Sequence, residues 1–199
     1  MNNIYSFFCL FITVLIMPSC SSSATENKAS DSVNATLENI FERKSVRTYL
    51  DKGVEKEKID LMLRAAMAAP SGKDVRPWEF IVVSDRMLLD SMAAELPYAK
   101  MLAQARYAII VCGDSLRSSY WYLDCSAAAQ NLLLAAQSLG IGAVWTAAYP
   151  YEERMQVVRK YIKLPNHILP LCVIPFGYPA TKERPKQKYD QKKIHYNHY

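Results

Sequence analysis

The feature that most constrains the fold is the Ala- and Leu-rich segment 120–138, which is apolar on nearly every side. Its length and spacing predict one long helix, which Gly140 ends. A helix without a polar face has to be buried against a sheet, other helices or a second subunit. The chain has 199 residues, 51% of them hydrophobic, which is enough material to enclose such a helix in one domain.

The remaining segments alternate between strand and helix patterns. Apolar runs predict four buried strands, at residues 78–84, 107–112, 141–145 and 169–176. Helical spacing predicts further helices at 55–68, from the capping residue Asp85 to about Ala94, and at 152–162. A short helix from the capping residue Thr36 through Phe41 precedes them. This order predicts one domain of mixed α and β structure, with a single sheet between helices.

The N-terminal segment does not belong to this domain. The apolar run at 4–17 is short for a membrane span, and a small residue precedes Cys20, as in a lipoprotein export signal. We therefore predict a signal peptide at 1–19, lipidation of Cys20, a flexible tether at 20–35 and the folded domain at 36–199. This places the domain on the periplasmic side of a membrane, or in the cytoplasm if the signal is not used. An uncleaved apolar anchor is the alternative.

Charge and cysteine content exclude several classes of protein. The C-terminal tail carries most of the chain's formal net charge of +5, through Lys182, Arg184, Lys186, Lys188, Lys192 and Lys193 against Glu183 and Asp190. The rest of the domain is therefore nearly neutral, which argues against a nucleic-acid surface. Cys112, Cys125 and Cys172 lack a metal-binding spacing and indicate small core residues, so we predict no metal site.

No glycine-rich dinucleotide loop or P-loop is present, so a bound phosphate would need scattered cations and backbone amides. Three segments offer such groups. Arg43, Lys44, Ser45 and Arg47 follow the first helix and could hold a phosphate by charge-assisted hydrogen bonds. The others are the proline-stiffened loop 69–78 and the basic tail. By themselves, these segments can also be explained as a surface turn, a rigid connection and a solvated terminus, and the surface turn is the favoured interpretation of the first.

Together the segments resemble a known family. The order Arg43-Lys44-Ser45-Val46-Arg47, then the loop 68–80 with Pro70-Ser71-Gly72, is similar to the opening motifs of the FMN-dependent nitroreductases. Further similar motifs follow in order at 98–102, 124–131, 139–145, 177–179 and 185–188. The resemblance covers about residues 38–195. It implies an α+β nitroreductase-like fold, with a central, mainly antiparallel mixed sheet flanked by helices, and FMN at a homodimer interface.

The resemblance also implies roles for individual residues. Arg43, Ser45 and Arg47 would hold the FMN phosphate and ribityl chain, with Lys44 nearby and with Lys186 and Lys188 closing over the phosphate. Pro70, Ser71 and Gly72 would line the flavin from the partner subunit. Arg76 would contact FMN as a cation, although Asp74 and Arg76 stand where the family usually has Asn and Gln. The segment Trp145-Thr146-Ala147 would pass the N5 edge of the flavin, and Asp124 and Lys100 would lie on the ring and substrate side.

The implied activity is transfer of a hydride from NAD(P)H through FMN to electron-poor acceptors such as nitroaromatics or quinones, in a ping-pong cycle without a catalytic side chain. Two alternatives remain. One is a related flavin enzyme, such as a reductive dehalogenase, although the segment between Asp90 and Arg106 is short for the lid of those enzymes. The other is a non-enzymatic flavin-binding lipoprotein. Export of the domain would also separate it from cytoplasmic NAD(P)H and favour a membrane quinol or a protein as donor.

Overall fold

The computed structural model describes residues 34–199, of which Thr36–Tyr199 form one compact unit. The predicted export signal, Cys20 and the tether up to residue 33 lie outside the described residues. The elements in chain order are α1 (through residue 42), α2 (Lys56–Met67), β1 (Trp78–Val83), α3 (Arg86–Glu95), β2 (Tyr107–Asp114), α4 (Trp121–Ser138), β3 (Gly142–Ala143), β4 (Thr146–Ala147), α5 (Glu152–Ile162) and β5 (Ile168–Gly177). None of the helices in this part of the chain is long and apolar enough to cross a membrane.

The strands form one antiparallel sheet in the order β1-β2-β5, with β3 and β4 both pairing with the far edge of β5. Side chains of β2 alternate between two cores, because successive residues of a strand point to opposite faces. Ile109 and Val111 join the core that contains α2 and α4, whereas Ala108 and Ile110 join the core that contains α3 and α5. The expected α+β fold, with a sheet flanked by helices, is therefore confirmed.

The segment predicted as one strand at 141–145 is instead two short strands in a single register. Gly142 pairs with Gly177 and Ala143 with Phe176, and after a two-residue gap Thr146 pairs with Val173. In this register Pro175 lies opposite Val144, and the N–H of Val144 donates to the carbonyl of Pro175. The return bond cannot form because proline has no N–H, so the ladder is interrupted there.

The helix boundaries follow local signals closely. The Asp85 carboxylate accepts the N–H of Leu88 and caps α3 as predicted. Helix α4 has buried residues from Trp121 to Ala136 and ends before Gly140, whose φ of +71° suits glycine. Helix α1 already includes residues 34 and 35, so Thr36 lies inside the helix and not at its N-cap.

The three cysteines of the described domain are free and buried, as predicted for small core residues. The Sγ of Cys125 contacts the carbonyl oxygen of Cys112 at 3.2 Å. Burial raises the pKa of all three thiols, that of Cys125 to about 12. These side chains are therefore neutral fillers of the core and not nucleophiles.

Candidate active site

Backbone pairing brings the two ends of the domain together. Tyr49 forms an isolated antiparallel bridge with Pro179. On either side of the bridge, the N–H of Leu50 donates to Tyr178 and the N–H of Ala180 donates to Thr48. This pairing lays the start of the basic tail along the segment that follows Arg47. Residues more than 130 positions apart, such as Thr48 and Thr181, thereby come within hydrogen-bond distance at 3.0 Å.

The Arg43–Arg47 segment is fixed against the edge of the sheet. Ser45 forms a parallel bridge with Ala143 of β3, and the N–H of Val46 donates to the carbonyl of Ala143 at 3.0 Å. The buried hydroxyl of Tyr49 contacts the carbonyl of Val46 at 2.8 Å and that of Pro175 at 3.1 Å. Burial raises the pKa of this hydroxyl, so it remains a neutral donor. Sequence reasoning missed Tyr49, because its role depends on its contact with β5.

The basic side chains of both ends line one cavity of about 210 Å³. Its lining residues are Arg43, Lys44, Ser45, Arg47, Glu183, Arg184, Lys186 and Lys188. Six of them are cations and one is a carboxylate, and none of these charged groups makes an ion pair within the part of the chain that the structure describes. The lining residues therefore carry a net charge of +5, six cations against one carboxylate, and this set of donors suits a phosphate dianion.

A second cavity, of about 680 Å³, shares Arg43, Lys186 and Lys188 with the first. Its other walls include the α1 residues Ile40 and Phe41 and the tail residues Pro185, Gln187 and Tyr189. The volume is within the range of small-molecule sites. The cationic cavity therefore opens beside a larger, more apolar space.

The proline-stiffened loop is strained. Lys73, Asp74 and Arg76 have φ of 55°, 56° and 53°, the left-handed region that non-glycine residues avoid at a cost of about 1–2 kcal/mol each. The guanidinium of Arg76 makes two hydrogen bonds to the carboxylate of Asp74, at 2.7 and 2.5 Å. Both side chains are largely exposed, so solvent screens the attraction between their charges. The ion pair does not offset the strain, which is typical of a loop kept for function.

This loop and the cationic cavity lie at different places along α4. The N–H of Gly72 donates to Asp124 near the N-terminal end of α4, whereas Asn39 of α1 donates to the carbonyl of Leu134. Ten residues of helix separate the two contacts by about 15 Å. Within one chain the structure therefore does not bring Pro70, Ser71, Gly72 and Arg76 to the cavity, whose lining includes none of them.

The segment Trp145–Ala147 continues directly from the bridge between Ser45 and Ala143. The hydroxyl of Thr146 is buried and donates to the carbonyl of Val173 at 2.6 Å, so it serves the fold. Trp145 and Ala147 are partly exposed. Of the predicted FMN contacts, the 43–47 segment, Lys186 and Lys188 thus line one cavity, and the 145–147 segment follows the strand that pairs with Ser45.

Arg154 of α5 borders this segment and was not predicted as a site residue. Its guanidinium lies over the rings of Tyr151 and Tyr98, at 3.7 and 4.8 Å, and its Nη1 is 3.4 Å from the carbonyl of Ala147. Its Nε is the one buried side-chain polar atom without a hydrogen-bond partner among the described residues. No local pattern in the sequence marks Arg154, because its environment comes from three separate segments.

Lys100 and Asp124 are both used internally. The ammonium of Lys100 donates to the carbonyls of Ala93 and Ala94 and so closes the C-terminal end of α3. The carboxylate of Asp124 is buried and accepts hydrogen bonds from Gly72 and Ser118. Their predicted contacts with substrate and flavin stay predictions.

Comparison with known proteins identifies the class of this fold and site. Residues 40–108 and 86–178 match the family described as the Nitroreductase family. A candidate NADH dehydrogenase/NAD(P)H nitroreductase of Methanothermobacter thermautotrophicus is 47% identical over 162 residues, which are 80% of this chain and 85% of that protein. The chain belongs to the nitroreductase family, which confirms the resemblance seen in its motifs.

Solved structures support the same assignment. A candidate NADH dehydrogenase/NAD(P)H nitroreductase from Bacteroides thetaiotaomicron is 84% identical, with a TM-score of 0.83 over 83% of this chain and 99% of that chain. An FMN-dependent nitroreductase from Clostridium difficile is 32% identical, with a TM-score of 0.78 over 82% of this chain and 99% of that chain. The fold seen here is the fold of those enzymes.

Proposed function

We propose that this protein transfers a hydride from NAD(P)H to flat, electron-poor acceptors such as nitroaromatics or quinones, with FMN held at the cationic cavity. As a member of the nitroreductase family, it is an FMN-dependent NAD(P)H oxidoreductase. The observation that carries the placement of FMN is the group of six cations from both ends of the domain around one cavity. FMN supplies the two-electron chemistry, and the protein supplies its binding and orientation.

In this proposal Arg43, Arg47, Lys186 and Lys188 bind the FMN phosphate. These side chains form no ion pair in the described structure, so a bound dianion would relieve their mutual repulsion. The Ser45 hydroxyl and the nearby Lys44 complete the donor set. Ser45 pairs with Ala143, so a phosphate bound in the cavity would lie close to β3. The rest of the cofactor would then extend along Trp145, Thr146 and Ala147.

The site is proposed to be completed by a second copy of the chain. The contacts of the Pro70–Gly72 loop and of α1 lie about 15 Å apart along α4, and no residue of the loop lines the cationic cavity of its own chain. Helix α1 exposes the apolar side chains of Leu37, Ile40 and Phe41, the last at 70%, beside the larger cavity. A homodimer would cover this face and bring the loop and Arg76 of one subunit to the FMN of the other.

The placement of the phosphate is tested by FMN titration of a double variant. Arg43→Ala with Arg47→Ala should weaken FMN binding by at least about a hundredfold, because two charge-assisted hydrogen-bond donors are lost. The matched control is Lys192→Ala with Lys193→Ala, which removes the same charge from tail positions outside the cavity. Equal losses in both variants would mean a general effect of charge. Unchanged binding in the first variant would move the phosphate site elsewhere.

The kinetic scheme is proposed to be ping-pong, with donor and acceptor using one site in turn. Initial rates measured against both substrates should give parallel double-reciprocal lines. Intersecting lines would show that donor and acceptor are bound together and would reject a shared site. Comparison of NADH with NADPH in the same assay gives the donor preference.

Export and lipidation at Cys20 are a separate proposal, which rests on the sequence of the first 20 residues. A palmitate label should attach to the wild-type chain and not to a Cys20→Ala variant. Label retained in that variant would reject the lipidation site. If the domain is exported, a membrane quinol or a protein replaces cytoplasmic NAD(P)H as the donor in the cell.

A further inference from the structure

Asp124 is a buried carboxylate whose two oxygens are both occupied by protein donors. Oδ1 accepts the backbone N–H of Gly72 at 2.8 Å, and Oδ2 accepts the hydroxyl of Ser118 at 3.2 Å. The Ser118 hydroxyl oxygen in turn accepts the N–H of Tyr120 at 3.1 Å. A buried charge is unfavourable unless it is hydrogen-bonded in this way, so the geometry of the carboxylate is well defined.

The bond to Gly72 is a part-buried attachment of the strained loop to α4. Two further bonds of residues 71–76 are exposed: Ser71 Oγ accepts the N–H of Arg76, and Arg117 donates to the carbonyl of Val75 at 2.8 Å. Directly after these residues, the N–H of Asp114 donates to the carbonyl of Pro77 at 2.8 Å. Lys73, Asp74 and Arg76 need a fixed frame to hold their positive φ angles. Asp124 supplies that frame from the first turn of α4, an element that is itself packed in the core.

We infer that Asp124 is a positioning residue, which holds Gly72 and thereby the loop 71–76 in the conformation that receives FMN. The inference rests on the proposed function, because that proposal assigns the loop to the flavin of the partner subunit. It differs from a direct contact between Asp124 and FMN, because the carboxylate acts on the loop through its hydrogen bond with Gly72. The role depends on the acceptor position at Oδ1 and not on the negative charge.

The two readouts are the accessibility of the loop and the affinity for FMN. Trypsin can cleave the loop after Lys73 but not after Arg76, because Pro77 follows it. Cleavage at Lys73 in the FMN-free protein, followed by mass spectrometry, therefore reports on the loop without any cofactor. Fluorescence titration with FMN gives the dissociation constant of the full-length protein.

Asp124→Ala should raise the rate of cleavage at Lys73 and the FMN dissociation constant, each by about tenfold to a hundredfold, the range for a buried donor left without its acceptor. Asp124→Asn should leave both within about threefold of wild type, because an amide oxygen still accepts from Gly72 and the amide nitrogen can donate to Ser118. Val158→Ala is the control for general destabilisation, since Val158 is buried in the core on the opposite face of the sheet. It should change neither readout.

Three outcomes would overturn the inference. Cleavage that is unchanged in Asp124→Ala would show that the loop does not depend on the carboxylate, and faster cleavage with unchanged FMN affinity would separate the loop from the flavin. Equal losses in Asp124→Asn and Asp124→Ala would show that charge matters and position does not.

If Asp124→Ala does not fold by circular dichroism, Ser118→Ala should give the same changes at about threefold to tenfold. A wild-type protein that binds no FMN would reject the proposed function, whereas the cleavage assay would still report on the anchor.

Discussion

Replacing Gly142 by alanine tests whether the contact between β3 and the basic segment places the phosphate ligands. A Cβ on Gly142 would lie 2.6, 2.8 and 3.0 Å from Cγ1, Cβ and Cγ2 of Val46. Carbon atoms pack at about 3.5–4.0 Å, so the two backbones would have to separate by about 1 Å. Rotation of the Val46 side chain gives no relief, because its Cβ and both its methyl groups are too close.

These short distances determine how much stability the Gly142→Ala variant should lose. Overpacking of this kind costs about 1–3 kcal/mol, which in a domain of this size lowers Tm by about 2–12 °C. The shift would also strain the 3.0 Å bond from Val46 to Ala143 and displace Arg43 and Arg47 from the tail lysines. Binding sites tolerate displacements of only about 0.5 Å, so we expect the FMN dissociation constant to rise at least about tenfold.

Gly140→Ala is the matched control, because it lies two residues away in the same connection. Its φ is +71°, and a Cβ there would have no heavy atom within 4 Å. It should lower Tm through backbone strain alone and leave the affinity for FMN unchanged. Thermal unfolding gives the Tm of both variants, and FMN titration gives their dissociation constants. A Gly142→Ala protein with wild-type affinity for FMN, or a Gly140→Ala protein with an equal loss, would refute the reasoning.

Two further predictions follow from the pKa values of groups outside the site. The hydroxyl of Tyr178 donates to Glu55 and is the main cause that lowers the carboxyl pKa from 4.5 to about 2. A lowered folded-state pKa gives stability that is present above pH 4.5 and is lost as the pH falls towards 2. The difference in Tm between wild type and Tyr178→Phe should therefore shrink over that range, and a difference independent of pH would contradict the assignment. Burial raises the pKa of Cys125 to about 12 and also raises that of Cys112, so both thiols should resist iodoacetamide at pH 8 until the protein unfolds. Rapid labelling of either cysteine in the folded protein, located by peptide mass spectrometry, would show that this part of the core opens.

Several parts of the fold could be predicted from the sequence because they depend on neighbours along the chain. Helical spacing placed α2 and α5 to within a residue or two, and Asp85 marked the start of α3. The order of the basic, proline-containing and glycine motifs indicated the family, which comparison confirmed. Gly140 marked the end of α4 through its conformational freedom. All of these signals act within a few residues of the positions they define.

Other features depend on which distant segments pair, which no local pattern contains. Proline at 175 breaks the strand at Val144 only because β3 and β5 are neighbours in this register. The tail reaches the Arg43–Arg47 segment only because Tyr49 and Pro179 pair. The hydrogen bonds of Asp124 with Gly72 and Ser118 likewise depend on segments that meet only in the folded chain. The sequence by itself determined most of the helices and strands, the family and the types of residue available for a phosphate. The tertiary structure decided which of those residues meet, because long-range hydrogen bonds and packing select one pairing among many that local preferences allow.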